Sequence, residues 1–248
     1  MSQRVEKVVA MILAAGAGKR MNAGINKVWL LLDGQPLFGH TLEVFLKSSL
    51  IHRVLLVVNP DELPQFERYL ADYCQSTQVP VDLVAGGAER QDSVANGLQY
   101  LRSKFSDKAG YQLVAVHDAA RALLTADLLA TAVAAGQEYR AAALGVPVKD
   151  TIKQVGADGL VVATPERAAL WMVQTPQVFD LDLLDQCYRK ATAGGLRFTD
   201  DCGVVEYFEH PVKLVRGSYE NLKITTPEDL LVAEAILRRR KHADWTGV

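Results

Sequence analysis

Cysteine is scarce in this 248-residue chain: Cys74, Cys187 and Cys202 are odd in number and far apart. They fit neither a disulfide framework nor the spacing of a metal site, so they read as reduced thiols packed in a core. Long apolar runs are missing as well. No stretch approaches the roughly 18–20 residues of a membrane-spanning helix, and the N-terminus lacks a signal-peptide core with a cleavage site. The expectation is a cytoplasmic protein with no membrane partner. Net charge is nearly absent: 27 Lys and Arg against 29 Asp and Glu leave −2, which gives no reason to expect nucleic acid or an anionic surface as partner. No internal repeat or low-complexity segment interrupts the chain. What remains is an ordinary globular composition, 49% hydrophobic and 23% charged, in a length that supports one large α/β domain with a sizeable core, or two small ones.

Short apolar runs alternate with amphipathic helical patterns. Strands are expected at 7–13, 53–58, 81–85, 112–116, 142–146 and 212–215, and helices at 39–48, 61–74, 89–102, 125–136 and 181–193. A βα unit of roughly 30 residues is the signature of a mostly parallel sheet covered on both faces, and right-handed crossovers make it doubly wound. Ligands in such sheets sit beyond the carboxyl ends of the strands. The conspicuous polar clusters of this chain all follow strands.

The first cluster is Leu13-Ala14-Ala15-Gly16-Ala17-Gly18-Lys19-Arg20-Met21, with a further cation at Lys27. Tiny side chains let backbone N–H groups approach an anion closely. Two or three cations within reach neutralise more charge than one phosphate carries, which suggests a nucleoside triphosphate. A Walker loop would place Ser or Thr after Lys19, where Arg20 stands, and a dinucleotide fingerprint would place glycine at Met21. The second cluster, Gly86-Gly87-Ala88-Glu89-Arg90-Gln91-Asp92-Ser93-Val94, offers backbone donors and the Ser93 hydroxyl to a base or ribose. Taken alone, such a cluster is more often a plain βα turn. In the third, His117-Asp118-Ala119-Ala120-Arg121, a carboxylate emerges at a strand end. Mg²⁺ favours one or two carboxylates together with substrate phosphates, so Asp118 is the candidate ligand, with Arg121 facing the phosphates. The plainer alternative is a salt bridge at a helix start. His117 has neither metal-ligand partners nor a nucleophile beside it, and no catalytic role is assigned to it.

One stretch breaks the βα rhythm. Residues 149–155 and 160–164 alternate around Gly156-Ala157-Asp158-Gly159 like a hairpin. A two-stranded ribbon is marginal alone in water, so its apolar positions need a surface: a second subunit, or the ribbon's own site if it folds back as a lid. The expected organisation is a single domain over 1–248 with an inserted β-arm at 147–170. The basic run Arg238-Arg239-Arg240-Lys241 reads as a solvated helix end favoured by the helix dipole.

From about residue 8 to 237 the motifs, in order, resemble the family of 2-C-methyl-D-erythritol 4-phosphate cytidylyltransferases of the non-mevalonate isoprenoid pathway. The resemblance rests on the three clusters and on Pro147-Val148-Lys149-Asp150-Thr151-Ile152-Lys153, Arg167 with Leu170-Trp171, and Thr175-Pro176-Gln177. It continues through Phe198-Thr199-Asp200-Asp201 and ends on Asn221-Leu222-Lys223-Ile224-Thr225-Thr226-Pro227-Glu228-Asp229-Leu230. The chain departs from the family pattern at Asn26-Lys27-Val28-Trp29, where Pro-Lys-Gln-Tyr/Phe is usual, at Ala122 in place of proline, and at Asp201-Cys202-Gly203. Glu220 stands near the place of an acidic residue that often precedes the Asn-x-Lys motif.

The resemblance implies CMP transfer from CTP to 2-C-methyl-D-erythritol 4-phosphate, with release of pyrophosphate. It implies that Arg20 and Lys27 stabilise the transition state, and that Ala14, Ala15, Gly16, Ala17, Gly18, Lys19, Gly87 and Ser93 hold the nucleotide. Asp118 would carry Mg²⁺. Arg167, Lys223, Thr199, Thr151, Thr175 and Arg121 would surround the acceptor phosphate, with Arg167 supplied by the neighbouring subunit of a homodimer. A cytidylyltransferase for another acceptor, such as ribitol 5-phosphate or a sugar phosphate, shares the loop, and an acceptor panel with CTP separates it. A nucleotide-binding regulator without activity would release no pyrophosphate.

Overall fold

The computed structural model describes residues 6–16, 26–73, 77–105 and 110–245. In chain order the elements are β1 (Lys7–Ala14), β2 (Leu31–Leu32), β3 (Gln35–Pro36), α1 (Leu37–Lys47), β4 (Ile51–Val58), α2 (Leu63–Tyr73), β5 (Val81–Ala85), α3 (Arg90–Lys104) and β6 (Tyr111–Asp118). There follow α4 (Ala126–Tyr139), β7 (Ala141–Pro147), β8 (Gln154–Val155), β9 (Val161–Ala163), β10 (Trp171–Asp180), α5 (Leu181–Ala193), α6 (Asp201–Tyr207), β11 (Lys213–Arg216) and α7 (Pro227–Trp245). The expected strands and helices are present, with ends shifted by at most three residues.

Seven strands form one sheet in the order β11-β7-β10-β6-β1-β4-β5. All pairings are parallel except those of β10, which runs antiparallel to both β6 and β7. The sheet is therefore doubly wound and mostly parallel, as expected. Strand β10 itself is not legible in the sequence: Pro176 lies within it, and proline is a poor sign of an interior strand. Its register jumps between Val173 and Gln177, so the proline falls where the ladder to β7 is interrupted.

Alternation along β1 shows why both faces are covered. Val8, Ala10, Ile12 and Ala14 face one cluster, with Phe38, Leu42 and Phe45 of α1, Phe66 of α2 and Leu129 and Val133 of α4. Val9 and Met11 face the other, with Val94 and Leu98 of α3, Leu184 and Tyr188 of α5 and Val204 and Val205 of α6. Each fully buried Leu, Val or Phe contributes about 1.5–3 kcal/mol, so the two clusters fix the sheet between its helical layers. A third, smaller cluster seats α7 on Leu32, Leu37, Leu123 and Ile224. Cys187 and Cys202 are buried and free, as expected, and Cys74 lies outside the described residues. Among the described residues no helix is long and apolar enough to cross a membrane.

Between β7 and β10 the chain leaves the sheet. Strands β8 and β9 pair antiparallel as a separate two-stranded ribbon, turned by Gly156 N–H to the Leu160 carbonyl (2.9 Å) and Gly159 N–H to the Gly156 carbonyl (3.0 Å). Its side chains are exposed throughout, among them Val155, Leu160, Val161 and Val162.

Candidate active site

Register brings four strand ends to one level. Leu13 pairs with Asp118, Ala14 with Val58 and Val58 with Ala85, so the loops after β1, β4, β5 and β6 open on the same edge. The order reverses here, since β4 and β5 lie to one side of β1 and β6 to the other, which is where doubly wound sheets bind ligands. A cleft of about 530 Å³ occupies the place, lined by Ala15, Gly16, Lys27, Asn59, Gly87, Arg90, Ser93, Asp118, Lys223 and Thr225 among others. Gly86 permits the close approach of two of these loops: a Cβ there would lie 2.4 Å from the Ala15 methyl group.

Asp118 emerges from the end of β6 and is almost fully buried. Its Oδ1 accepts from Arg90 Nε at 3.2 Å, and Lys223 Nζ stands 2.8 Å from Oδ2. Burial opposes its charge, but the cations Arg90 and Lys223 outweigh burial and hold the carboxyl well below the usual carboxylate range. Arg90, the first residue of α3, then forks onto Asp201 at 3.0 and 2.7 Å, and Tyr188 donates to the same carboxylate. Burial alone would lower the Arg90 pKa; Asp201 and Asp118 reverse that and keep the guanidinium charged. This bidentate geometry is the strong form of such a pair.

The other side of Asp118 is fixed through β10. Thr175 Oγ1 accepts from the Asp118 N–H at 3.1 Å and lies 2.9 Å from His117 Nδ1. The threonine proton therefore points at Nδ1, and His117 Nε2 faces the Arg121 carbonyl at 3.4 Å. Burial drives the imidazole pKa down to about 3, so His117 is neutral and carries its proton on Nε2. Arg121 donates from Nη1 to the Asn221 carbonyl at 2.7 Å, and its buried Nε has no partner.

Lys27 sits on a short 3-10 turn whose cap is Asn26. The Asn26 amide donates to the Ala14 carbonyl (3.1 Å) and to Glu62 (2.8 Å), while its oxygen accepts from Val28 N–H at 3.3 Å. Trp29 packs among Phe38, Phe66 and Tyr69. The departure from the usual proline and tyrosine thus builds a supported platform for the lysine.

Of the residues expected at the site, Ala15, Gly16, Lys27, Gly87, Ser93, Asp118 and Lys223 line the cleft. Ala17, Gly18, Lys19 and Arg20 lie outside the described residues. Ala14 is buried at the end of β1. The Ser93 hydroxyl accepts from Gly87 N–H and donates to the Glu89 carbonyl, both at 3.1 Å, so it shapes the turn. Thr151 and Thr199 are exposed and not among the lining residues. Arg167 is exposed at the foot of the ribbon, donating to the Lys149 carbonyl at 2.9 Å. Sequence reasoning gave Arg90 and Asp201 no role, because their partnership spans 111 residues; the only hint was two carboxylates, Asp200 and Asp201, standing together after Thr199.

Asp118 is a single carboxylate, and among the described residues no group of three or more His, Cys, Asp or Glu gathers as a metal cage. That donor set fits Mg²⁺, which takes one or two carboxylates and completes its shell with phosphate oxygens and water.

A sequence model described as 2-C-methyl-D-erythritol 4-phosphate cytidylyltransferase matches residues 8–239. Proteins of that name from Geobacillus kaustophilus and Caldanaerobacter subterraneus subsp. tengcongensis are 48% and 42% identical, over 93% and 94% of this chain and 97% and 99% of theirs. Among solved structures, 4-diphosphocytidyl-2C-methyl-D-erythritol synthase from Anaerococcus prevotii superposes with a TM-score of 0.81 at 30% identity, covering 94% of this chain and 97% of that one. The 2-C-methyl-D-erythritol 4-phosphate cytidylyltransferase of Thermus thermophilus gives 0.70 at 30% identity, covering 92% and 98%.

Proposed function

The chain belongs to the 2-C-methyl-D-erythritol 4-phosphate cytidylyltransferase family, and from that premise we propose how its cleft performs the reaction. It transfers CMP from CTP to 2-C-methyl-D-erythritol 4-phosphate, giving 4-diphosphocytidyl-2-C-methyl-D-erythritol and pyrophosphate, a step in isoprenoid precursor biosynthesis. The observation that carries the reading of the site is that Ala15, Gly16 and Lys27 line one cleft together with the Asp118–Lys223 pair.

The acceptor phosphate is already a nucleophile near neutral pH, so no general base is needed. The protein's task is to align that oxygen with the α-phosphorus of CTP and to neutralise charge growing on the α-phosphate and the departing pyrophosphate. Lys27, braced by Asn26 and Trp29, meets that charge, and Arg20 is assigned the same task. The triphosphate is assigned to the small-residue segment 14–19 and the nucleoside to the Gly87 turn, whose shape Ser93 fixes by accepting the Gly87 N–H. Lys223 and Arg121 are assigned to the acceptor phosphate; Lys223 exchanges its contact with Asp118 for the incoming phosphate. Asp118 would hold the divalent cation, which would supply counter-charge to the phosphate oxygens. Arg90 and Asp201 keep that carboxylate ionised and in place.

Arg167, with Thr151, belongs to the acceptor site of a second subunit in a homodimer whose partners exchange ribbons. The exposed apolar ribbon and the position of Arg167 at its foot support this arrangement.

Pyrophosphate release tests the reading directly. Release is expected with CTP, Mg²⁺ and 2-C-methyl-D-erythritol 4-phosphate, and much less with UTP, ATP or GTP, or after chelation of the metal. Release with ribitol 5-phosphate in place of the methylerythritol compound would reassign the acceptor. Nucleotide binding with no release under any condition would point to a regulator.

A further inference from the structure

The basic run near the C-terminus does not cap a helix end. Helix α7 continues to Trp245, and the four cations have different environments. The side chains of Arg238, Arg239 and Lys241 are 76%, 66% and 63% exposed, whereas that of Arg240 is only 28% exposed. Arg240 directs its fork inward. Nε and Nη2 donate to Glu220 Oε2 at 3.0 and 2.9 Å, and Nη1 and Nη2 both donate to the Leu123 carbonyl at 3.1 Å.

Glu220 and Leu123 belong to the two loops that carry the acceptor side of the cleft. Leu123 ends the turn that begins at Asp118 and includes Arg121; Glu220 lies three residues before Lys223. The same loops are joined nearer the cleft by Ile224 N–H to the Ala120 carbonyl (2.9 Å) and by Arg121 to the Asn221 carbonyl. At its other end α7 grips the second loop again: Asp229 accepts from Thr225 N–H at 2.8 Å and Thr226 N–H at 2.9 Å. Eleven residues separate Asp229 from Arg240, about 16 Å of helix. A rigid rod fastened to the Lys223 loop at both ends, with a cross-tie to the Asp118 loop, fixes the spacing between them.

We propose that Arg240, through Glu220 and the Leu123 carbonyl, is a positioning residue that sets the distance between Lys223 and the Asp118–Arg121 turn for the acceptor phosphate. The inference rests on the reading of Lys223 and Arg121 as acceptor-phosphate groups. Lysine cannot replace this arginine, because a point ammonium does not reproduce a planar fork on a carboxylate and a carbonyl together.

Steady-state kinetics of the full chain with CTP, Mg²⁺ and 2-C-methyl-D-erythritol 4-phosphate provide the test. Arg240→Lys and, should that variant fold poorly, Glu220→Gln are expected to raise KM for the acceptor by roughly 5- to 20-fold, from loss of charge-assisted hydrogen bonds. KM for CTP should stay within about twofold. Arg238→Lys, which alters only an exposed pair with Glu234, should change neither. Amide hydrogen exchange should quicken in residues 118–124 and 218–226 of the Arg240 variant and stay unchanged in 86–93. Lys223→Ala serves as the reference. If it raises acceptor KM while Arg240→Lys and Glu220→Gln do not, the clamp is wrong and the acceptor site stands. Should Lys223→Ala leave acceptor KM unchanged, the reading of the site fails and takes the clamp with it. An equal rise in both KM values, accompanied by a lower Tm, would make Arg240 a structural brace only and overturn the proposal.

Discussion

At the carboxyl end of β6, two buried carboxylates are linked to partly buried cations: Asp118 to Arg90 and Lys223, and Asp201, which Tyr188 also binds, to Arg90. In the ribbon between β7 and β10 the situation is reversed, since Val155, Leu160, Val161 and Val162 are apolar and more than half exposed. Both arrangements are costly in isolation. Buried charge is tolerated only when partnered and hydrogen-bonded, and exposed apolar surface persists only where something covers it. The site base meets its requirement within one chain. The ribbon does not, which is the physical argument for a second subunit.

The sharpest way to break the first arrangement is Asp201→Ala. It leaves the partly exposed Arg90 with Asp118 alone and removes the partner of Tyr188; breaking a fully buried pair on one side costs about 3–5 kcal/mol, and the loss here is expected at or below the lower end of that range because water reaches the guanidinium. Chemical denaturation should show the loss, together with weaker CTP turnover. A stability within 1 kcal/mol of the parent would mean that Arg90 finds water or another acceptor and that the network is not closed.

The second experiment tests the ribbon as an exchanged element. Lys27→Ala should lower turnover by on the order of 10²-fold or more with little effect on folding, and Arg167→Ala should be impaired through its acceptor KM. Mixing the two chains should restore activity, because about half of randomly assorted dimers carry one site with both parental residues. Subunit exchange without recovery would assign Arg167 to its own chain and make the ribbon a lid.

A smaller effect comes from His117, buried behind Asp118. Its folded pKa lies near 3, below the ordinary value of 6.5, so the unfolded chain binds the proton first as pH falls. Its contribution is complete above about pH 6.5 and is lost progressively between 6.5 and 3, amounting to about 2 kcal/mol at pH 5. His117→Asn, which retains an acceptor for Thr175, should flatten that part of the stability profile when the two proteins are titrated side by side. Parallel profiles would show that His117 titrates alike in both states.

The smallest expected change in folding comes from Leu160→Asp at the ribbon's exposed turn. Surface substitutions usually stay within about 0.5 kcal/mol, so the protomer's stability should barely move while sedimentation shifts toward monomer. Unaltered association would place the interface elsewhere.

Most of the framework was legible because it depends on local pattern. Short continuous apolar runs located the strands at 7–13 and 53–58, helical apolar spacing located the helix at 181–193, and tiny residues after a strand marked the β1 loop. Asp118 and Lys223 were found because their motifs are contiguous. Strand β10 was missed, since Pro176 interrupts the pattern that would identify it, and the inward turn of Arg240 was hidden inside a run that reads as solvated charge. Ser93 shows what local pattern leaves out. A hydroxyl at a helix start looks available to a ligand, yet it is engaged by Gly87 and Glu89.

The sequence by itself determined the alternation of elements, the level at which polar clusters leave the strands, and the family to which the chain belongs, because each is a matter of residue type at short spacing. Only the tertiary structure decided which charges meet. Arg90 and Asp201 are 111 residues apart, and Arg240 and Leu123 are 117 apart. No local rule pairs them, and they come together only because the sheet order and the packing of α3, α6 and α7 bring their loops to one edge.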